Sequence, residues 1–517
     1  MTAASETRFS RTLLALLLIL TAASALAWGH YRPLDQDEWF VFQTDTVSSI
    51  SKLIEVQRHY PISLDPLFYH LLGHASTSLF GATAFAIRLP SLLGFLLMQV
   101  CLYAIAKRIA GNFAGFIAAA VPALTATLFY AQQARPYGVL LGLGALLLLA
   151  YQHCTRDTER TAWLIALAVT LALALNTHYF AILLLLPLYA AELVRIVQRR
   201  RIDWPMIFAI GIGSAGVLLT LPFQKSAGEF RKHYYNVGKV GLHAVTQSYR
   251  ALLLNYTQYS LRTQHILMAL LVVAALIFVA ALLVRFRAND PTVPLAEKAF
   301  LLVLAILPFF GFLLARFVTH SIEVRYILPA ILGLSVLIAI TVTPFERNAF
   351  RARALVGVVL VLLVGLGFSR AANARLQRPS PRMLTISHVP AQSGPIYIQN
   401  MGNFDEIGNA VADPAIRSRF ALVYSAPLEI ALAHHDTQSL TAEHMRHFTG
   451  YRIENYEDLR RQPGPHLMIL YHGGGWNWLD LQLVRDHAVV TPIGTALGGD
   501  LVLVSFTQNE AASPDRR

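Results

Sequence analysis

Apolar runs long enough to cross a bilayer, each closed by a short polar or basic turn, repeat along the first 370 residues and then stop. They lie at about 12–28, 85–106, 112–130, 136–152, 161–177, 179–197, 205–222, 264–284, 298–317, 327–344 and 354–369. The pattern predicts about eleven transmembrane helices. Runs 161–177 and 179–197 are parted only by Asn176-Thr177-His178-Tyr179, so one re-entrant element is the alternative there. Beyond residue 370 the periodicity changes. Short β-like runs at 396–398, 420–423, 467–470 and 501–504 alternate with helix-like polar stretches, which predicts a small C-terminal α/β domain over 370–517. The fold class expected is an all-α polytopic membrane module over 1–369 with that domain appended.

The turns assign a side to each end of the bundle. With Arg8 and Arg11 inside, the inner turns hold Lys107-Arg108, Arg156 with Arg160, Arg195 with Arg199-Arg200-Arg201, Arg285 with Arg287, and Arg347 with Arg351 and Arg353. Loops 29–84 and 223–263 and the tail then face outward. Arg8, Arg11, the apolar run and Ala25-Leu26-Ala27 also match a cleavable signal peptide, but the run is long enough to span, and the first loop faces outward either way.

Composition agrees with this picture. At 55% hydrophobic and 14% charged residues, with mean hydropathy +0.50, the chain is too apolar for a soluble protein. The net charge of +12 sits in turns between apolar runs, which argues against nucleic acid as a partner. Two cysteines, Cys101 and Cys154, provide no disulfide framework.

Candidate chemistry collects at the outer ends. Asp35-Gln36-Asp37-Glu38 follows the first span at once, and carboxylates beside lipid are costly enough to suggest a working site. Asp65 stands before Pro66 and reads either as the N-cap of a membrane-surface helix ending near Gly81 or as part of a site. Arg135, in Tyr130-Ala-Gln-Gln-Ala-Arg-Pro-Tyr137, is suited to grip a phosphate or else snorkels to water. Glu323, Arg325 and Tyr326, with Arg316 and His320 nearby, form a second such turn, with an aromatic belt and a Glu323–arginine pair as the alternative. Loop 223–263 carries Lys225, Arg231, Lys232, His233 and Lys239 with Tyr234 and Tyr235, fitting a polyanionic ligand or lipid headgroups. His178 lies on the same side and reads as a satisfied polar residue, with a ligand as the alternative. His434-His435-Asp436, His444 and His447 read as a solvated polar face, and Gly473-Gly474-Gly475 as a turn.

The order of these features resembles the GT-C glycosyltransferases: an Asp-Glu pair after the first span, Pro66-Leu-x-Tyr69, Phe80-Gly81, Arg88-Leu-Pro-Ser91, Gln132-x-x-Arg135-x-Tyr137 and Glu323-x-Arg-Tyr-x-x-Pro329. The likeness covers about residues 10–345 and is greatest to the bacterial branch related to protein O-mannosyltransferases and the aminoarabinose transferase of lipid A. It implies a polyprenyl-phosphate-linked sugar donor, transfer with inversion at the outer (periplasmic) face of a bacterial inner membrane, and a glycan, lipid or protein acceptor. Carried over, Asp37 is the base, with Asp35 as the alternative. Glu38 orients the acceptor or sugar, and Arg135 and Arg325, with Tyr137 and Tyr326, hold the lipid phosphate. Asp65, His178, Glu323 and Lys232 are possible substrate-lining residues. Where relatives carry His-Pro-Pro-Leu, this chain has Leu64-Asp65-Pro66-Leu67, which leaves the acceptor open. No cofactor is implied outright; a divalent cation serves some relatives and not others. The rival class is a lipid-linked-sugar flippase or other transporter, which the clean spans and end-placed charges disfavour.

Overall fold

The structure is a computed structural model that describes residues 3–230, 232–233, 241–254, 261–287, 293–320, 323–376, 394–410, 414–472 and 477–506. In chain order the helices of its first 376 residues are α1 (Ala3–Tyr31), α2 (Gln36–Asp45), α3 (Ile50–His59), α4 (Leu67–Phe80), α5 (Ala84–Leu124), α6 (Tyr137–Arg156), α7 (Thr161–Leu175), α8 (Leu185–Arg199), α9 (Trp204–Ala215), α10 (Leu221–Glu229), α11 (His243–Leu253), α12 (Leu261–Arg287), α13 (Leu295–Ala305), α14 (Leu307–Leu314), α15 (Ala330–Val342) and α16 (Ala349–Leu376). The chain divides into two compact units: residues 1–32, 65–221 and 237–376 form one, and 33–64, 222–236 and 377–517 the other. The second unit therefore draws in two stretches that the sequence places in outer loops.

The first unit is a helical bundle. Among the described residues six helices are long and apolar enough to cross a membrane, and the pair Leu295–Ala305 and Leu307–Thr319, bent by 55°, adds a seventh when taken as one broken span. Every apolar run read from the sequence falls on a helix. Residues 85–106 and 112–130 share α5, which is broken at Ala110 and Gly111; Gly111, at φ +88°, reverses the chain. Gln99 on one arm accordingly donates to the Ala119 carbonyl on the other at 3.0 Å. α7 and α8 are two separate helices rather than one re-entrant element. Arg160 before α7 and Arg195 near the end of α8 both meet Asp203 at the start of α9, while Asn176 after α7 donates to the Gly216 carbonyl past the other end of α9 at 2.8 Å.

Ion pairs fasten the end of the bundle that holds the basic turns. Arg156 grips Glu297 through Nε at 2.5 Å and Nη2 at 2.6 Å, and Arg160 grips Asp203 at 2.5 and 2.7 Å. Arg108 and His153 flank Asp157, whose carboxyl their hydrogen bonds lower from 3.8 to about 2. At these turns the arginines join neighbouring helices.

The second unit is built on a six-stranded sheet. Its strands are β1 (Ile396–Ile398), β2 (Phe420–Tyr424), β3 (Arg452–Asn455), β4 (His466–Leu470), β5 (Val489–Ala496) and β6 (Gly499–Ser505), in the order β3-β2-β1-β4-β6-β5. The first four positions are parallel, while β6 runs antiparallel to β4 and β5 antiparallel to β6. Strands β1, β2, β4 and β6 are the four apolar runs read from the sequence. β3 and β5 are the two edges, too polar or too interrupted by Pro492 and Gly494 to stand out. Alternate residues serve opposite faces. Tyr397, Ala421, Val423, Met468, Val502 and Val504 pack with Tyr456, Trp478 and Leu483; Ile396, Ile398, Phe420, Leu422 and Ile469 pack with Met401, Phe404 and, from the first loop, Trp39 and Ile62.

Candidate active site

In the helical unit the site is built where α6 begins. Gly138 and Gly142 bring α6 against the first arm of α5 so closely that a Cβ at Gly138 would lie 2.1 Å from the Ser91 carbonyl oxygen, and one at Gly142 would lie 2.4 Å from that of Gly94. This approach lets the buried Ser91 hydroxyl donate to the Arg135 carbonyl. Arg135 is thereby held at the helix mouth, its side chain mostly enclosed, with Nη2 3.6 Å from Asp65 and 3.3 Å from the Tyr137 hydroxyl. It does not snorkel to water. The enclosed guanidinium is a strong, geometrically defined anion contact.

Asp65 is not an N-cap. α4 starts at Leu67 with Pro66 in the capping position and no side-chain cap, and its Phe68 N–H donates instead to the Asn176 carbonyl at 3.2 Å. With that donor satisfied from α7, the buried carboxylate faces Arg135 and His178, whose Nε2 lies 4.0 Å from Oδ1. Pairing a buried carboxylate with a guanidinium recovers more than capping a helix end would. His178 accepts the Phe180 N–H through Nδ1 at 3.2 Å, so its own proton sits on Nε2 toward Asp65. Burial, chiefly, lowers its pKa from 6.5 to about 4; Asp65 opposes the shift, and Arg135 and Arg325 add to it.

Aromatic rings close the cluster. Tyr137 meets His178 edge-on at 5.4 Å, Tyr326 lies 6.0 Å from His178 and stacks on Phe180 at 3.8 Å, and the Arg325 guanidinium sits 5.8 Å over the Tyr326 ring. Tyr326 is thus part of a packed stack rather than of an interfacial belt. Glu323 opens the short turn Val324–Tyr326. The fold therefore brings together Asp65, Arg135, Tyr137, His178, Arg325 and Tyr326, from four separate stretches of chain. Phe180 and Ser91 belong to the same assembly; Ser91 closes the Arg88-Leu-Pro-Ser91 motif, whereas the apolar side chain of Phe180 carries no sign of it in the sequence.

Asp35, Asp37, Glu38 and Lys232 lie in the second unit, whereas Arg316 and His320 belong to the first. Asp35 is the N-cap of α2 and Glu38 its third residue, in a reciprocal capping box: the Glu38 N–H donates to Asp35 Oδ1 at 2.9 Å, and the Asp35 N–H donates to Glu38 Oε2 at 3.1 Å. Asp37 takes no part in that box and is half-buried on the first turn. Lys232 is exposed, and Arg231, Tyr234, Tyr235 and Lys239 lie outside the described residues, as does Gly473-Gly474-Gly475. His435 and His444 are buried rather than solvated. His435 Nδ1 lies 2.7 Å from Glu429, and His444 Nδ1 donates to the Pro61 carbonyl at 2.8 Å, because both line the packing of α3 and of Ala426–Ala433 against the domain. Among the described residues no group of three or more His, Cys, Asp or Glu side chains is gathered for a metal ion.

Residues 65–223, which hold most of this cluster, match the family model of dolichyl-phosphate-mannose-protein mannosyltransferases. The fold as a whole is similar to that of ArnT from Cupriavidus metallidurans in the apo state, at 14% identity and TM-score 0.58 over 94% of this chain and 97% of that one. It is likewise similar to the same protein bound to undecaprenyl phosphate, at 14% identity and TM-score 0.56 over 95% and 98%. A weaker likeness, too low to carry a shared fold, links it to the apo oligosaccharyltransferase of Archaeoglobus fulgidus, at 13% identity and TM-score 0.44 over 79% and 64%. No curated protein matches the sequence. Residues 65–223 thus resemble a family of lipid-phosphate-dependent mannosyltransferases, and the chain as a whole shares the fold of ArnT.

Proposed function

We propose that this protein transfers a sugar from a polyprenyl-phosphate carrier to an acceptor at the periplasmic face of a bacterial inner membrane, with inversion. The observation that carries the reading is the enclosed Arg135 at the mouth of α6, within electrostatic reach of the same histidine as Arg325. The ArnT that shares the fold was captured with undecaprenyl phosphate, and two guanidiniums in one poorly solvated cluster suit that kind of headgroup.

In this reading an acceptor hydroxyl or amine attacks the anomeric carbon from the face opposite the phosphate and loses its proton to Asp37. The carbon–oxygen bond to the carrier breaks, and its electron pair stays on the phosphate, where Arg135 and Arg325 stabilise the growing charge. Asp37 is preferred to Asp35 because Asp35 and Glu38 are committed to the capping box. Glu38 then acts by fixing the helix that carries the base. Tyr137 and Tyr326 shape the phosphate end, Asp65 and neutral His178 set the orientation of Arg135, and Glu323 and Lys232 are read as substrate-lining. The basic turns at the opposite end of the bundle support an outer location for the cluster around Arg135.

The test is transfer by the purified full chain in liposomes, supplied with a panel of polyprenyl-phosphate sugars and envelope acceptors, with and without a chelator to decide metal dependence. Asp37→Asn is expected to lower transfer by about 10²–10⁴-fold, the usual worth of a general base, with carrier binding retained. Arg135→Lys is expected to weaken binding of the carrier phosphate, because one ammonium cannot replace a forked contact. Movement of the carrier across the bilayer without transfer, equal in wild type and Asp37→Asn, would replace the enzyme by a flippase.

A further inference from the structure

The carboxylate pair read from the sequence as a loop motif is built into the sheet domain. Trp39, two residues after Asp37, is only 2% exposed and belongs to the core of one sheet face with Ile398, Met401, Phe404 and Leu422. Its ring lies 5.5 Å from that of Tyr451, Tyr451 packs edge-on to Phe404 at 5.4 Å, and the Gln43 amide donates to the Tyr451 hydroxyl at 3.2 Å. The start of α2 is held as well, with Gln36 Oε1 3.6 Å from where a Cβ of Gly402 would stand. One turn of helix thus carries Asp37 on its first residues and is anchored, through side chains on both sides of it, to residues more than 350 positions later.

We infer that the C-terminal sheet domain is a working part of the transferase: Trp39 and Tyr451 are positioning residues that set the direction of Asp37. The inference rests on the proposed role of Asp37. The physical argument is that a general base must sit within hydrogen-bond reach of the proton it removes, and a short helix outside its packing has no stable direction of its own. The capping box settles where α2 begins; the indole in the sheet core settles which way its first turn points.

The experiment is a double-mutant cycle in the full-length protein, read as kcat and KM for a polyprenyl-phosphate sugar, with hydrogen exchange over residues 36–45 as a second measurement. Trp39→Ala is expected to lower kcat at least tenfold with KM for the carrier within twofold, Trp39→Phe to recover most of the loss, and Tyr451→Phe, which keeps the ring, to fall between. In an Asp37→Asn background Trp39→Ala should lower the residual rate by less than twofold, because the group it positions is already gone. An equal loss with and without Asp37, or no loss of kcat while exchange shows α2 loosened, overturns the positioning role and leaves the reading of Asp37 intact. Wild-type transfer by Asp37→Asn removes the base assignment, and the inference with it.

Discussion

At the level of single residues, three carboxylates within four positions carry different work because of the helix they begin. Asp35 and Glu38 satisfy two backbone N–H groups that the first turn of α2 leaves without intrahelical partners, and Asp37 stands between them outside that pairing. Asp35→Asn retains an acceptor for the cap, so it is expected to cost under 1 kcal/mol of stability and to leave transfer near the wild-type rate, the opposite of Asp37→Asn. His178 supplies a prediction in pH. The unfolded chain takes up a proton at about 6.5 and the folded one only near 4, so folded-state stability should fall as the pH drops from 6.5 to 4, by at most about 1.4 kcal/mol per unit. His178→Gln should remove that part of the slope in a thermal-unfolding series and leave the profile above pH 7 unchanged. The sequence placed His178 only on the same side as the other candidates; its contact with Asp65 comes from the fold. Its neutrality was not legible either, since burial and the facing charges of Asp65, Arg135 and Arg325 come from other elements.

At the level of elements, the spans were legible because twenty apolar residues in a bilayer have few alternatives to a helix. What the apolar pattern conceals is which helices touch at backbone distance. Gly138 and Gly142 look like ordinary small residues in a hydrophobic run, yet they let Ser91 reach the Arg135 carbonyl. Gly138→Ala would place a methyl 2.1 Å from the Ser91 oxygen, forcing α5 and α6 apart; the expected cost is about 1–3 kcal/mol, with weaker carrier binding as Arg135 moves. Gly211→Ala, where an added Cβ meets nothing within 4 Å, is the control and should leave melting and binding unchanged. Asp65 teaches a related lesson. An Asp-Pro pair before a helix reads locally as a cap, but a carbonyl from α7 takes the helix N–H and releases the carboxylate to Arg135.

At the level of the whole molecule, the chain is two units that do not follow its linear order, since the sheet unit takes in residues 33–64 and 222–236. Expressed alone, residues 377–517 would leave open the sheet face that Trp39 and Ile62 cover. That fragment is expected to bind a hydrophobic dye and to melt over a broad range, and joining residues 33–64 to it should sharpen the transition; equal behaviour of the two would show that the first loop adds nothing to this core. By itself the sequence determined the membrane class, the position of every apolar helix and the four inner strands. These depend on local composition and on the few ways a chain can satisfy its backbone in lipid or in a sheet. Only the tertiary structure decided that Asp65 pairs with Arg135, that edge strands β3 and β5 join the sheet, and that the acidic turn belongs to the C-terminal domain. Each of these depends on partners tens to hundreds of residues away or on an indole filling a distant core, and neither apolar periodicity nor local spacing carries that information.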